Sequence, residues 1–201
     1  MAENYIRRSN RNSNIKIIPV CIVVDTSGSM NKTDTNQTKK RIERLTDGIN
    51  SFINLTRNDD FLSDSLEIAI VTYNVDADVL MNFKSVESIK DVYIHAEQKV
   101  GDSPKGVECA LNLIENKKQM ILNNGQKHKT PWIIIFSDGV ATGEKDGNDR
   151  TIATRLSETQ WRLRKLEESK KINVIPVFVS DKNRFQKAID QAKEYGILGQ
   201  N

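Results

Sequence analysis

The sequence predicts an α/β fold: a doubly wound, mostly parallel central sheet of five or six strands, one an antiparallel edge strand, flanked by helices in the Rossmann manner. Three observations carry this. Apolar runs rich in Ile and Val alternate with stretches of helical periodicity, the pattern of parallel βαβ units. Two of those runs end on an aspartate followed closely by glycine, in "VVDTSGS" and "IFSDGV". One pair of strands is joined by a link too short for a crossover helix, which requires an antiparallel return.

Ile17 to Val24 is almost continuously apolar, as expected of a strand covered on both faces. From Thr38 to Thr56, Ile42, Leu45, Ile49, Phe52 and Ile53 recur at threes and fours and mark an amphipathic helix. Leu66 to Asn74 is the second strand; Asp78 to Phe83, after only "VDA", returns beside it as the sheet edge. A helix fits Pro104 to Leu122, with Val107, Ala110, Leu111, Ile114 and Ile121 on one face. Its proline falls in the first turn, where the missing N–H has no intrahelical partner, and Ser103 would cap it. Pro131 to Gly139 is another apolar strand. After a glycine-rich loop, Ile152, Leu156, Leu163 and Leu166 mark a helix, Asn173 to Val179 a strand, and Phe185, Ala188, Ile189 and Ala192 a last helix.

The 201 residues suit one domain, read here as residues 15–201 after a polar, basic and disordered tail over residues 1–14. The composition is that of a globular protein, 37% hydrophobic and 28% charged, with no apolar run near the ~20 residues of a membrane span. The net charge of +3 resides in the first sixteen residues, where Arg7, Arg8, Arg11 and Lys16 face only Glu3, so the remainder is neutral and nucleic-acid binding is not expected. The tail lacks the apolar core and cleavage site of a secretory signal, which sets the cytoplasm as the expected location. Cys21 and Cys109 show no CxxC spacing and read as buried, reduced thiols. His95 and His128 suggest neither a metal site nor a catalytic dyad.

In doubly wound sheets ligands bind beyond the carboxyl ends of the strands, where successive connections begin to run in opposite directions. If the strands ending at Asp25 and Asp138 flank that point, both carboxylates face one crevice. Two ionised carboxylates ~5 Å apart repel by roughly 3 kcal/mol at an effective dielectric of about 20. A cation removes that cost. Carboxylate, hydroxyl and backbone oxygens without histidine or thiolate suit a hard ion, Mg²⁺ first and Mn²⁺ or Ca²⁺ next, with coordination positions left for a ligand.

Together these segments resemble the von Willebrand factor type A (vWA) domains. Asp25-Thr26-Ser27-Gly28-Ser29 reproduces their DxSxS signature, Ser137-Asp138-Gly139 their later aspartate motif, and "GDSPKG" supplies Ser103 where the family usually carries a threonine. The resemblance spans Ile17 to Ser180 and implies a vWA fold with a metal-ion-dependent adhesion site (MIDAS). Ser27, Ser29 and Ser103 would be hydroxyl ligands, and Asp25 and Asp138 would act directly or through water. It also implies a non-enzymatic protein-binding module whose partner fills the open metal position with an Asp or Glu carboxylate. More narrowly, "IPVCIVVDTSGSM", "SPKG" and "PWIIIFSDG" look like bacterial TerY-type members associated with tellurium resistance and chemical stress.

Each residue also has a structural reading. Asp before Gly commonly forms turns, and Ser103 before Pro104 is as good an N-cap as a ligand. Gly28 is expected to permit the turn that brings both serine hydroxyls to one point. Asp102 and Lys105 read as solvated loop charges, Trp161 as a helix-packing residue and Trp132 as core. Two other functions stay open, a metal-dependent hydrolase and a scaffold with a vestigial metal site. The sequence lacks GxxxxGK[ST], GxGxxG and GxSxG motifs, and Ser27 stands where a haloacid-dehalogenase-type phosphatase needs a second aspartate.

Overall fold

The computed structural model describes residues 15–138, 151–180 and 182–194. The expected tail, Gly139 and the glycine-rich loop after it lie outside the described residues. In chain order the elements are β1 (Ile18–Asp25), α1 (Arg41–Arg57), α2 (Asp60–Ser65), β2 (Leu66–Tyr73), β3 (Ala77–Ser85), α3 (Ser103–Asn123), β4 (Trp132–Ser137), α4 (Ile152–Glu168), β5 (Asn173–Phe178) and α5 (Lys182–Glu194). They form a five-stranded sheet of order β3-β2-β1-β4-β5. The β1–β2, β1–β4 and β4–β5 pairs are parallel and β2–β3 is antiparallel, with β3 at the edge as expected.

Period-two alternation explains why β1 is apolar throughout. Val20, Ile22 and Val24 join one core layer with Ile42, Leu45, Ile49 and Ile53 of α1. Cys21 and Val23 join a second layer with Val107, Ala110, Leu111 and Ile114 of α3. Helices therefore cover both faces, and the chain reverses its winding between β1 and β4. There the strand ends are level, Val24 pairing with Phe136.

Several local expectations are corrected. The first long helix starts at Arg41, not Thr38, because Lys40 is extended and pairs back to Thr33 in an isolated bridge. Asp102, not Ser103, is the N-cap of α3, and Ser103 is its first helical residue. The short helix α2, capped by the Asp59 carboxylate accepting from the Leu62 N–H, went unread because its six residues hold too few turns to show periodicity. Trp132 is 37% exposed as the first residue of β4, at the margin of the sheet. Trp161 is 65% exposed because α4 turns Leu163 and Leu166 inward instead. Cys21 is buried but Cys109 only half so, and both are free thiols.

Candidate functional site

Asp25 is the last residue of β1 and pairs with Tyr73 at the end of β2. Its carboxylate is almost wholly buried, and Asp138, directly after β4, is fully so. Oδ1 of Asp25 accepts the Ser27 N–H at 2.8 Å, and Oδ2 accepts the Ser137 hydroxyl at 3.2 Å. The DxSxS loop then curls into a single 3₁₀ turn, Gly28–Asn31, which sets the Ser27 and Ser29 hydroxyl oxygens 3.1 Å apart. Alternate hydroxyls in the sequence thus become neighbours beside one carboxylate.

Two further loops close around this one. Thr26 donates both its N–H and its hydroxyl to the Tyr73 carbonyl, and its own carbonyl accepts from the Glu97 N–H at 2.8 Å. Gly28 donates to the Lys99 carbonyl at 2.9 Å. Its φ is not left-handed; what it supplies is room, since a Cβ would stand 3.0 Å from Gln98 Oε1 and 3.4 Å from Gln98 Cα. The expected role of Gly28 in the turn is therefore replaced by close approach of the 97–99 segment. Gly101 lies against the site in the same way, with an added Cβ 3.3 Å from Ser27 Cβ and 3.6 Å from Asp25 Oδ1. Ser103, two residues further on, is half-buried and opens α3.

The segment preceding Ser103 is anchored from both sides. The Asp102 N–H donates to the Asn74 carbonyl at 2.8 Å, and its carboxylate, buried and not solvated as expected, takes Arg155 NH1 at 2.7 and 2.5 Å. Arg155 is itself buried, in the first turn of α4. Lys105 is not a loose charge either: its ammonium bridges the Val75 carbonyl and Asp76 Oδ1, both at 2.6 Å.

The electrostatics follow from burial. Desolvation pushes the Asp25 carboxyl up to about 6; the bonds from the Ser27 and Ser137 groups pull it down, while the Asp138 charge adds to the rise. Burial and then the Asp25 charge hold the Tyr73 phenol well above its usual range. A third charge reaches the site from α1: Arg41 NH1 lies 3.5 Å from Asp138 Oδ2 and donates to the Ser29 carbonyl at 3.2 Å.

The structure thus brings Asp25, Ser27, Ser29 and Asp138 to one crevice and places the start of α3, with Ser103, beside it. Two buried carboxylates and a pair of adjoining hydroxyls are hard oxygen donors with a like-charge conflict, which a divalent cation fits. Among the described residues no cluster of three or more His, Cys, Asp and Glu side chains could hold a metal, so a cation here would depend on the serine hydroxyls. Arg41, Arg155 and Ser137 were missed as members of the site. A basic residue at a helix start reads as solvent-facing unless its partner is known, although Ser137 stood in the quoted motif.

The fold and the strand ends define a doubly wound α/β domain with a cluster of oxygen donors at its switch point. The chain belongs to the von Willebrand factor type A domain family, whose sequence pattern matches residues 20–140. No curated protein matches the chain. Among solved structures it is similar to the PilB minor pilin of Streptococcus sanguinis, with 12% identity, TM-score 0.56, and coverage of 92% of this chain and 62% of that one. It is also similar to the pilus adhesin SpaC of Lactobacillus rhamnosus GG (13%, 0.58, covering 90% and 27%). A third is proximal thread matrix protein 1 of the mussel byssus (12%, 0.50, covering 87% and 41%). At these identities the likeness concerns the fold, and the chain spans less than two thirds of the length of each.

Proposed function

We propose that the chain is a non-enzymatic protein-interaction module that captures an acidic residue of a partner through a divalent cation, Mg²⁺ first, at a metal-ion-dependent adhesion site. The observation that carries this reading is the pairing of buried Asp25 and Asp138 with the Ser27 and Ser29 hydroxyls at adjoining strand ends. Asp25, Ser27, Ser29, Ser103 and Asp138 would hold the ion. Bound there, the cation supplies an open coordination position for a partner Asp or Glu carboxylate. The protein's own part is to exclude water from the carboxylates, hold the two serine hydroxyls together and fix the Ser103 loop through Asp102 and Arg155. Membership of the vWA family supports a protein-binding role, and the similarity in fold to a pilin and a pilus adhesin is consistent with it.

The finer parts of the reading are a cytoplasmic location and a place in a tellurium or chemical-stress system of TerY type. Two free cysteines and the quoted strand-end segments support them. Among the described residues no helix is long and apolar enough to cross a membrane.

The test is calorimetric titration of Mn²⁺ into the wild type and Asp25→Ala, paired with an affinity pull-down with and without EDTA. Heat in the wild type alone and a partner lost in EDTA are expected. Equal heats in both proteins would sink the site assignment. Hydrolysis of generic phosphate esters, abolished by Asp25→Ala, would replace this reading with the hydrolase. The partner recovered also tests the stress-system assignment.

A further inference from the structure

Arg41, in the first turn of α1, is 5% exposed although arginine is rarely buried without a partner. Its Nε donates to Asp34 Oδ1 at 2.7 Å and NH2 lies 2.6 Å from the same oxygen. The other Asp34 oxygen takes Arg44, and the Asp34 side chain is itself only 8% exposed. Burial raises the Asp34 carboxyl but the two arginines more than offset this and hold it below its usual value. One side of the guanidinium is thus clamped. The remaining nitrogen, NH1, is turned into the crevice, towards the Ser29 carbonyl of the DxSxS loop and Oδ2 of Asp138. A guanidinium does not lose its proton in proteins, and its rigid fork lets one clamp fix where the third nitrogen points.

We propose that Arg41 is a built-in counter-charge of the crevice: it holds Asp138 and the DxSxS loop together before a divalent cation arrives, and by its charge it limits how tightly that cation is held. The inference rests on the metal-site reading above. It has a signature that an ordinary structural residue lacks, because its two effects have opposite signs. Without Arg41 the empty site keeps Asp138 fully buried with less compensation, so the metal-free protein loses stability. The same loss deepens the negative potential of the crevice, so a cation binds more tightly. Asp34 acts in the opposite sense. Removing its charge leaves that of Arg41 less offset and weakens the cation. A weakly held ion also gives a partner carboxylate more to contribute, since its negative charge would meet both the ion and Arg41.

The test measures Mn²⁺ affinity by calorimetry, and the melting midpoint in EDTA, for wild type, Arg41→Gln, Arg41→Lys and Asp34→Asn. Arg41→Gln should bind Mn²⁺ about tenfold more tightly while melting lower in EDTA. Arg41→Lys, which keeps the charge and loses the fork, should stay within about threefold of the wild-type affinity. Asp34→Asn should bind Mn²⁺ at least about threefold more weakly. A folded Arg41→Gln that binds Mn²⁺ no more tightly than wild type overturns the proposal. Should that variant not fold, an unchanged or raised affinity in Asp34→Asn overturns it equally. Wild type and Arg41→Gln both silent to Mn²⁺ would remove the metal-site reading and this proposal together. A wild type that binds beside an Arg41→Gln that binds less would remove only this one.

Discussion

Asp25 ends a strand inside the molecule with its carboxyl pushed up to about 6 by burial, against an ordinary value of 3.8. A raised acid takes up a proton on folding, so between these two values stability rises as the pH falls. Above the folded value the charged form costs about 3 kcal/mol, at about 1.36 kcal/mol for each tenfold change in proton affinity. In EDTA, the difference in melting midpoint between wild type and Asp25→Asn should therefore be largest near pH 7.5 and shrink as the pH falls to 4.5, with the asparagine variant more stable at the higher pH. A difference that does not vary with pH would show that the carboxyl is not perturbed in this way. At this level the sequence placed Asp25, Ser27, Ser29 and Asp138 at neighbouring strand ends, because a strand end places its last residues and a short motif carries its own geometry. It was a poor guide to Arg41 and Asp102. Their roles come from Asp138 and Arg155, residues 97 and 53 positions away along the chain, and only the fold brings them near.

The start of α3 illustrates how an element is aimed. Asp102 caps the helix without a side-chain capping bond, because its carboxylate is given to Arg155. Gly106, one turn in, packs directly on the ring at the end of β2: a Cβ there would stand 2.6 Å from Tyr73 Cδ1. The helix is thus set against the sheet by one missing side chain and one buried ion pair, and Ser103 sits between the two. Stripping one partner from a buried pair leaves an uncompensated charge. Asp102→Ala should cost about 3–5 kcal/mol, roughly 10 °C in melting midpoint, and the double variant Asp102→Ala/Arg155→Met should recover much of it. A loss under about 1 kcal/mol in the single variant would place the pair among the inert surface contacts. Periodicity located this helix to within two residues at either end, since its apolar face is long and regular. It could not tell that Ser103 is helical and Asp102 the cap, because both residue types suit both positions.

Across the molecule, β1 is flanked by strands on both sides and by helices on both faces, whereas β3 is paired only through β2. β3 is also broken in register twice against β2, at Ile68/Ile70 and Ile70/Val71, a distortion that blunts an edge against further pairing. Amide hydrogen exchange should find the amides of Val20 to Val24 exchanging only by global opening, and those of Val79 to Lys84 exchanging by local opening at least about a hundredfold faster. Comparable protection in the two strands would mean that the edge opens only with the core. What could be read from the chain alone was the layering, the antiparallel edge and the loop that carries Asp25, Ser27 and Ser29. Each of these is written locally, in periods of two and three to four residues and in residues contiguous with a strand end. What only the folded molecule decided was the charge balance around those residues: the guanidinium of Arg41 against Asp138, and Arg155 against Asp102 at the start of α3. Such pairs form between side chains that share no local pattern, and their burial, which gives them their strength, exists only once the layers have packed.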